Sequence, residues 1–452
     1  MSTPTLRPTS PSLVRKRTGT PAARAESPQA KRLLLARHHI VAPSLRVADG
    51  AAGSVFGAAR LRGPIARDSI ATVTGLSIAT VNRQVTALLD AGVLRERADL
   101  AVSGAIGRPR VPVEVNHEPY LTIGVHIGAR TTSIVATDLL GRTLDVVEMP
   151  TPQGAQNSAL ASLADSARRY LGRWHRRKPL WVGVAAGGVI DTATGYFDHA
   201  RLGWADAPVG PVLAEALGLP VSVASHVDAM AGAELLLGLR RSNTPTATSL
   251  YVYARETVGY ALSIGGRVHS PASGPGTIAA LPARSELLGN TGELESTVSD
   301  EAVLNAARRL RIVPADGPTS TIAAVLRAAR QGNEGAAALL AARARVLGQA
   351  VAMLRDMLNP DDLVVGGQAF TEYAEGMELV EAAFAERSAL APRDIRVTAF
   401  GNRVQEAGAG VVSLGGLYAD PVGAMRRAQR AESTARGSDQ PANGPWSSRA
   451  LP

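Results

Sequence analysis

One face of a predicted helix, residues 77–89, carries side chains suited to contacts with nucleic acid bases. Ser77 is a favourable N-cap, and Val81, Val85 and Leu88 recur at helical spacing, which predicts a buried apolar stripe on the other face. The candidate DNA contacts are therefore Ser77, Thr80, Asn82, Arg83 and Thr86. Asn can hydrogen-bond adenine and Arg guanine in a major groove, so these residue types indicate base recognition.

A second group of candidate DNA contacts lies in the glycine- and arginine-bearing loop at residues 103–110. Arg108 and Arg110 are placed there to contact phosphates or to enter the narrow minor groove.

The elements around these residues predict how they are positioned. A short helix (69–74) and a turn at Gly75 precede the helix at 77–89, and strands at 93–97 and 111–115 flank the loop. This order is typical of a winged helix-turn-helix, and we place that DNA-binding domain at residues 48–116. The alternative is a plain helical hairpin whose polar face is merely solvated.

Composition and charge narrow the classes of function that the chain can have. The chain has 452 residues, no Cys, 45% apolar and 19% charged residues, and a net charge of +9. The absence of Cys excludes disulfides, thiolate catalysis and thiolate metal sites. Residues 1–120 hold 17 Lys/Arg and 8 Asp/Glu, whereas residues 121–420 hold 26 and 29. A basic N-terminal module on a near-neutral body favours a DNA-binding head, and a solvated basic tail on an ordinary enzyme is the alternative.

The two ends of the chain are predicted to be irregular. Residues 1–47 are rich in Pro, Ser and Arg and are expected to form a disordered basic arm, and residues 421–452 a flexible tail. We find neither a signal peptide nor an apolar run of roughly 18–20 residues, so the expected location is the cytoplasm, at the nucleoid.

The body, residues 117–420, has an α/β pattern. Strands are predicted at 121–127, 131–137 and 143–149, followed by a helix, a strand at 180–185, a strand at 220–224 and a helix at 228–239. A second hairpin begins at 249–253 and 258–264, and long helices at 321–330 and 334–358 precede a strand at 363–365. Three strands that open a βαβ unit, occurring twice, predict a two-lobed actin-like fold with a cleft.

This order of elements and several motifs resemble the ROK family of repressors, open reading frames and sugar kinases. The similar stretches are Thr74-Gly75-Leu76-Ser77, Gly107-Arg108-Pro109, Leu202-Gly203-Trp204, Leu358-Asn359-Pro360 and Gly366-Gly367. The DNA-binding head resembles the repressor branch. The resemblance implies a ribonuclease H-like, sugar-kinase-like body that binds a sugar or sugar phosphate and controls DNA affinity.

The motifs for phosphoryl transfer in the family's kinases are altered here. Where the kinases have D-x-G-G-T, this chain has His126 in place of Asp and Ala129 in place of the second Gly. Where they have G-T-G-I-G, it has Arg255-Glu256-Thr257-Val258-Gly259, and Glu256 would repel phosphate. The position of the general base aligns with His226, in Ser225-His226-Val227-Asp228. The resemblance therefore implies a protein without kinase activity.

The family's zinc site is altered as well. The resemblance places a His ligand at Ala280 and Cys ligands within Glu286–Glu293, so all four ligands are replaced and no metal or other cofactor is expected. Glu295 is the one usual sugar contact that keeps its type.

These motifs leave six candidate effector-binding residues: Arg130, Ser225, His226, Asp228, Arg255 and Glu295. Arg130 and Arg255 would supply an anion site if both face the cleft, whereas the alternative is that they pair with acids or lie in solvent. Asp228 is expected to begin a helix, as a cap or as a ligand contact.

The leading hypothesis is a homo-oligomeric transcriptional regulator, such as a repressor, that binds a double-stranded DNA operator. Its partners would be that operator and a sugar or phosphorylated-metabolite effector. The alternatives are a sugar kinase with an added DNA-binding head, and a regulator whose body only oligomerises.

Overall fold

The computed structural model describes most of the chain in six ranges, residues 39–100, 111–238, 247–271, 274–289, 292–317 and 319–438. Within these ranges an N-terminal head stands on a body of two lobes. The predicted loop at 103–110, with Arg108 and Arg110, lies outside the described residues.

Three helices and a β-hairpin make up the head. Its elements are α1 (Ala51–Arg62), α2 (Arg67–Thr74), α3 (Ile78–Asp90), β1 (Leu94–Glu96) and β2 (Val113–Val115). The predicted helix at 77–89 and its cap are confirmed, because Ser77 Oγ accepts a hydrogen bond from the Thr80 amide at 3.2 Å. Strands β1 and β2 pair antiparallel, and Ile65 bridges to Val113 on the other side of β2.

Lobe 1 is built on a five-stranded sheet in the order β10-β6-β3-β4-β5. Its elements are β3 (Tyr120–Ile127), β4 (Thr131–Thr137), β5 (Thr143–Pro150), α4 (Gln156–Gly172), β6 (Lys178–Ala186), β7 (Val189–Asp191), β8 (Tyr196–His199), β9 (Trp204–Ala207), α5 (Val209–Leu217), β10 (Val221–Ser225) and α6 (His226–Leu236). Strands β3, β4 and β5 pair antiparallel, as the sequence predicts. Strand β6 pairs parallel with β3, and β10 pairs parallel with β6.

Lobe 2 repeats this plan with the order β13-β12-β11-β17-β18. Its elements are β11 (Thr248–Ala254), β12 (Val258–Ile264), β13 (Arg267–His269), β14 (Gly276–Thr277), β15 (Pro282–Ala283), β16 (Gly292–Glu293), α7 (Leu294–Val298), α8 (Asp300–Arg309), α9 (Ile322–Arg330), α10 (Glu334–Leu358), β17 (Asp362–Gly366), α11 (Gln368–Thr371), α12 (Glu375–Arg387) and β18 (Arg396–Val397). Two helices follow, α13 (Val404–Ala419) and α14 (Pro421–Ser438).

Two helices, α6 and α13, join the lobes. Helix α13 packs closely on β3 and β6, since a Cβ at Gly183 would lie 2.2 Å from the Ser413 nitrogen. Helix α6 is tied to lobe 2 by the buried Glu234, which accepts hydrogen bonds from Arg396 at 2.7 Å and from the Ala399 amide at 3.1 Å. Movement of one lobe against the other must therefore involve α6.

The head and the body share one hydrophobic core cluster, which runs from Phe56 and Val81 of the head to Trp181 and Tyr418 of the body. Arg60 of α1 donates to the Leu236 carbonyl at 3.0 Å, and its guanidinium lies 4.4 Å from the centre of the Tyr418 ring. The head is thus fixed on the body through buried contacts.

Residues 39–47, predicted to belong to a disordered arm, are ordered against the body, so that boundary is wrong. Ile40 bridges to Val221 at the edge of the lobe 1 sheet, and Val47 donates to the Gly266 carbonyl beside β13 of lobe 2. Leu45 between them is 5% exposed. We call residues 40–47 the strap; apolar burial and edge pairing outweigh the local composition that suggested disorder.

The predicted flexible tail also needs correction at its start. Residues 421–438 form α14, and its apolar face is buried through Ala424, Met425, Ala428 and Ala431. Lys178 of β6 pairs with Glu432 at 2.6 Å. The spacing of these apolar residues is helical, a signal hidden by the Arg-rich composition. Residues 439–452 lie outside the described ranges.

Within the described ranges one helix, α10, is long and apolar enough by length and composition to cross a membrane, with a mean hydropathy of 1.4. It is not an uninterrupted apolar run, because Arg343, Arg345 and Arg355 lie within it. In addition, 61% of this apolar window is buried within the protein. Arg343, also on this helix, is 2% exposed and pairs with Asp300 at 2.6 Å. The helix thus packs in the core of lobe 2.

Candidate functional site

The exposed face of α3 is one of two candidate sites. Val81, Val85 and Leu88 are fully buried, and the opposite face exposes Asn82, Arg83 and Thr86, as predicted. Helix α2 ends at Gly75, whose φ of +68° turns the chain toward α3. A glycine is favoured there because side chains with a Cβ rarely adopt this conformation.

Three of the predicted DNA contacts, Ser77, Thr80 and Thr86, are already engaged within the head; the Thr86 hydroxyl donates to the Asn82 carbonyl at 3.0 Å. Ser77 Oγ caps the helix and also donates to Thr80 Oγ1 at 3.0 Å. The Thr80 side chain is half-buried, while Asn82 and Arg83 are exposed on the next turn. Asn82 and Arg83 are therefore the freer side chains for contacts beyond the head.

The second candidate site is a cavity of about 190 Å³ in the cleft between the lobes. It is lined by His126 at the end of β3, His199 at the end of β8, His226 at the start of α6 and Tyr253 of β11. The His126 and His226 rings are stacked with centres 6.2 Å apart, and the His226 and Tyr253 rings lie 5.3 Å apart. The cavity therefore has a wall of aromatic and imidazole rings.

Burial keeps these imidazoles neutral. Loss of hydration holds the pKa of His126 well below its usual range and lowers the pKa of His226 to about 4, and it also lowers the pKa of His199. Neither His126 Nε2 nor His199 Nδ1 has a hydrogen-bond partner within the described chain. A neutral imidazole offers one donor and one acceptor, so these rings can bind groups that both donate and accept, such as hydroxyls.

Within the described ranges, the charged groups around this cavity leave one carboxylate unpaired. Arg201 of the lining pairs with Glu295 across the cleft at 3.0 Å, and Glu256 is the one carboxylate among the described residues of the lining. Thr257 and Gln405 contribute neutral polar groups. An anionic ligand would therefore meet Glu256 without an unpaired cation to offset it.

Arg255 lines a neighbouring cavity, also of about 190 Å³. Arg255 donates to Gln405 Oε1 at 2.6 Å, and Gln405 donates to the Tyr253 hydroxyl at 2.8 Å. Three carboxylates, those of Glu148, Glu372 and Glu406, share this lining with the one Arg. Burial raises the pKa of Glu406. The cavity is therefore poorly suited to the phosphates of a nucleotide.

The structure does not bring the six predicted effector residues together at one cavity. His226 lines the first cavity and Arg255 the second. Arg130 is exposed and pairs with Glu301 of lobe 2 at 2.6 Å, so Arg130 and Arg255 do not form the anion site considered above. Arg130–Glu301 and Arg201–Glu295 instead connect the two lobes across the cleft.

The prediction that Asp228 begins the helix is wrong. Helix α6 begins at His226, and Ser225 is its N-cap because Ser225 Oγ accepts from the Asp228 amide at 3.2 Å. Asp228 itself is 5% exposed, and burial raises its pKa to about 6. Ser225 and Asp228 therefore support α6 behind the cavity rather than line it.

Sequence reasoning missed four polar or aromatic residues of the cavity: His199, Arg201, Tyr253 and Gln405. His199 and Arg201 closely precede the Leu202-Gly203-Trp204 motif, and that proximity was an available signal. Gln405 follows β18 and reaches the cavity from the start of α13, so its role depends on the tertiary structure.

The two stretches that were compared with kinase motifs above each form a hairpin turn. The Arg255 amide donates to the Thr257 carbonyl at 3.0 Å between β11 and β12, and the Gly128 amide donates to the Thr131 carbonyl at 3.0 Å between β3 and β4. In the part of the chain that the structure describes, no group of three or more His, Asp or Glu side chains could hold a metal ion.

Comparison with known proteins agrees with this architecture. The fold and the cleft define a two-lobed α/β protein of the sugar-kinase-like class, with an additional N-terminal head. The chain belongs to the ROK family, which matches residues 122–412. A transcriptional regulator of Mycobacterium bovis is 71% identical over 410 residues, 89% of this chain and 94% of that protein.

Two solved structures show the same fold. One is a ROK family transcriptional regulator, a homolog of the E. coli MLC protein, with a TM-score of 0.67 and 22% identity over 83% of this chain and 97% of that one. The other is a ROK family glucokinase from Streptomyces griseus in complex with glucose and AMPPNP, with a TM-score of 0.53 and 21% identity over 65% of this chain and 99% of that one. The glucokinase thus matches about two thirds of this chain.

Proposed function

We propose that this protein is a sequence-specific DNA-binding transcriptional regulator whose head is a winged helix-turn-helix. The observation that carries the proposal is the exposed polar face of α3, with Asn82 and Arg83 in the open on a helix whose other face is buried in the head. The 71% identity to a transcriptional regulator over nearly the whole of both chains supports it. Arg108 and Arg110 would contact the DNA backbone.

The cavity of the body is proposed to bind a small neutral effector rich in hydroxyl groups, such as a sugar. Its volume of about 190 Å³ limits the ligand to a small molecule. Neutral His126, His199 and His226 supply matched donors and acceptors. Glu256 and the Arg201–Glu295 pair disfavour a phosphorylated metabolite, the other effector considered.

Helix α6 supplies a route from this cavity to the head. The helix begins at His226 in the cavity and ends at Leu236, whose carbonyl accepts a hydrogen bond from Arg60 of α1. Its 11 residues span about 16 Å, and Glu234 ties it to lobe 2. A ligand that changes the angle between the lobes would shift α6 and so change the position of the head.

Phosphoryl transfer is not part of the proposed function. The kinase alternative requires amides and a metal on the phosphates and a base on the attacking hydroxyl. In this chain those places carry His126, Arg255–Thr257 and His226, and three Glu side chains line the adjoining cavity. We further propose that the regulator is a homo-oligomer that acts on the bacterial nucleoid.

The proposal is tested with the full chain. Duplexes are selected from a random library, and binding of the best duplex is measured for the wild type, for Arg83→Ala and for Arg168→Ala. Arg168 is the matched control because it is an exposed arginine on α4 of the body. We expect a specific duplex, weakened by Arg83→Ala and unaffected by Arg168→Ala. Selection of no duplex would reject the proposal.

Coupling is tested on the same duplex with a panel of neutral sugars and sugar phosphates. We expect at least one neutral sugar to change the DNA dissociation constant, and Arg60→Met to reduce that change while leaving DNA binding in place. Met retains the apolar length of the side chain but cannot donate to Leu236. An unchanged sugar response in Arg60→Met would reject α6 as the route.

A further inference from the structure

Ile78, the first residue of α3, is exposed although it is large and apolar. Its side chain is 50% exposed, whereas Val81, Val85 and Leu88 of the same helix are fully buried. Although Ile78 continues the spacing of the buried stripe, three residues before Val81, packing within the head leaves half of it open to solvent.

Ile78 lies at the border between the buried stripe and the exposed face, about 40° around the helix from Asn82. Asn82 follows one turn later, and Ala79 and Arg83 form an adjacent exposed pair at the same spacing. Side chains of a helix lean toward its N-terminus, and the N-terminal residues of a recognition helix contact base edges. The branched Cβ of Ile78 also limits its rotation, so its methyl groups are held in place before binding.

We propose that Ile78 is a specificity-determining residue that contacts the 5-methyl group of a thymine in the major groove. Thymine is the base that presents a methyl group there, and apolar side chains are its recognised partners. The inference rests on the proposed DNA-binding function. It gives the exposed face of α3 a preference for thymine, which the polar side chains of Asn82 and Arg83 do not supply.

The helix geometry also limits where this thymine lies. Residues 78 and 82 are four positions apart, which is about 6 Å along the axis of α3. Base pairs are stacked about 3.4 Å apart. The thymine contacted by Ile78 therefore lies within about two base pairs of the base contacted by Asn82.

The test uses the full chain and the duplex that it selects. Each thymine is replaced in turn by deoxyuridine, which lacks only the methyl group, and the dissociation constant is measured for the wild type and for Ile78→Ala. We expect one position, near the base affected by Asn82→Ala, at which deoxyuridine weakens wild-type binding. The expected loss is about fourfold, the value for one methyl group removed from an apolar contact. Ile78→Ala should weaken binding of the thymine duplex and show no difference between thymine and deoxyuridine at that position.

Ile264→Ala is the matched control, because Ile264 is 52% exposed on the body. It should keep the wild-type difference between thymine and deoxyuridine, and Ile78→Val should keep most of it. The inference is overturned if the wild type tolerates deoxyuridine at every position, or if Ile78→Ala retains the fourfold difference. A wild-type chain that selects no duplex would overturn the DNA-binding proposal itself, an outcome distinct from these two.

Discussion

At the scale of single residues, Asn82 and Arg83 make the most direct prediction. Arg83→Ala or Asn82→Ala should cost about 1–3 kcal/mol of DNA-binding free energy and relax the base preference at one position. Both side chains are exposed on α3, so the fold should be unaffected. Binding isotherms on the selected duplex and its single-base variants measure the effect. An equal loss on every sequence would argue against base contact.

Arg108 should behave differently because the expected contact is with phosphate. Arg108→Ala should weaken binding to all sequences alike and flatten the dependence of the dissociation constant on salt, since fewer counterions are released. A salt titration with specific and nonspecific duplexes tests this. An unchanged salt slope would count against it.

His226 predicts how stability depends on pH. Its pKa is lowered from 6.5 to about 4 in the folded protein, so the unfolded chain binds the proton more readily between these values. The contribution of neutral His226 to the unfolding free energy is therefore present above pH 6.5 and is lost as the pH falls toward 4. Between pH 7 and pH 4.5 the wild type should lose about 2 kcal/mol more unfolding free energy than His226→Gln. Urea denaturation at the two pH values gives the comparison.

Asp228 provides a control of opposite sign for this measurement. Burial raises its pKa from 3.8 to about 6, so the folded state binds the proton more readily, and this carboxyl lowers stability as the pH rises through that range. Asp228→Asn should therefore gain stability relative to the wild type as the pH is raised from 4 to 7. A variant that follows the wild-type curve would show that Asp228 does not carry this shift.

At the scale of elements, the strap is predicted to matter for stability. Leu45 is 5% exposed, and its side chain packs against Gly232 of α6. Leu45→Ala should lower the unfolding free energy by about 2–5 kcal/mol, as for other buried leucines. Leu61→Ala is the control: Leu61 is 72% exposed, so the change should be within about 0.5 kcal/mol. Equal effects from the two substitutions would contradict the packed strap.

The buried contacts between the head and the body also decide how the head should be studied. Phe56 and Arg60 contact Tyr418, and the shared core cluster continues from the head into the body. Removing residues 1–116 would expose apolar surface of α6 and α13 as well as remove α3. Point substitutions on α3 are therefore a cleaner test of DNA binding than deletion.

At the scale of the whole molecule, we expect no sugar-dependent ATP hydrolysis, and none after His226→Asp alone. A missing general base typically reduces a rate by about 10²–10⁴-fold, which can leave detectable activity. The resemblance also places His126 and Arg255–Thr257 at the two phosphate loops, so we expect that one substitution cannot restore all the parts. A coupled assay of ADP release with a sugar panel measures this. Sugar phosphorylation by the wild type would favour the kinase alternative.

The protein is also expected to contain no stoichiometric zinc. The chain has no Cys, and the resemblance places the family's histidine ligand at Ala280. Elemental analysis of purified protein, after dialysis without chelator, should give far less than one zinc per chain. About one zinc per chain would contradict the prediction.

Several elements were predictable because their signals are local. The stripe Val81, Val85 and Leu88 with the Ser77 cap predicts α3 within one residue of its observed bounds. The alternation and turns of residues 120–150 likewise predict β3 to β5. In the cleft, His226 and Arg255 were identified by their place in motifs, and the structure then assigned them to two different cavities.

The sequence by itself determined the order of most helices and strands and the polar face of α3, because each depends on residues close together in the chain. Through the resemblance it also indicated the expected changes at the phosphate loops. The tertiary structure alone decided that the strap and α14 are ordered, since their burial comes from β10, β13, β6 and the head. It also decided that His199 lines the same cavity as His126 and His226. Likewise, it decided that Arg130 pairs with Glu301 and Arg201 with Glu295 across the cleft. These contacts join distant residues, and their free energy appears only when the two lobes and the head pack together.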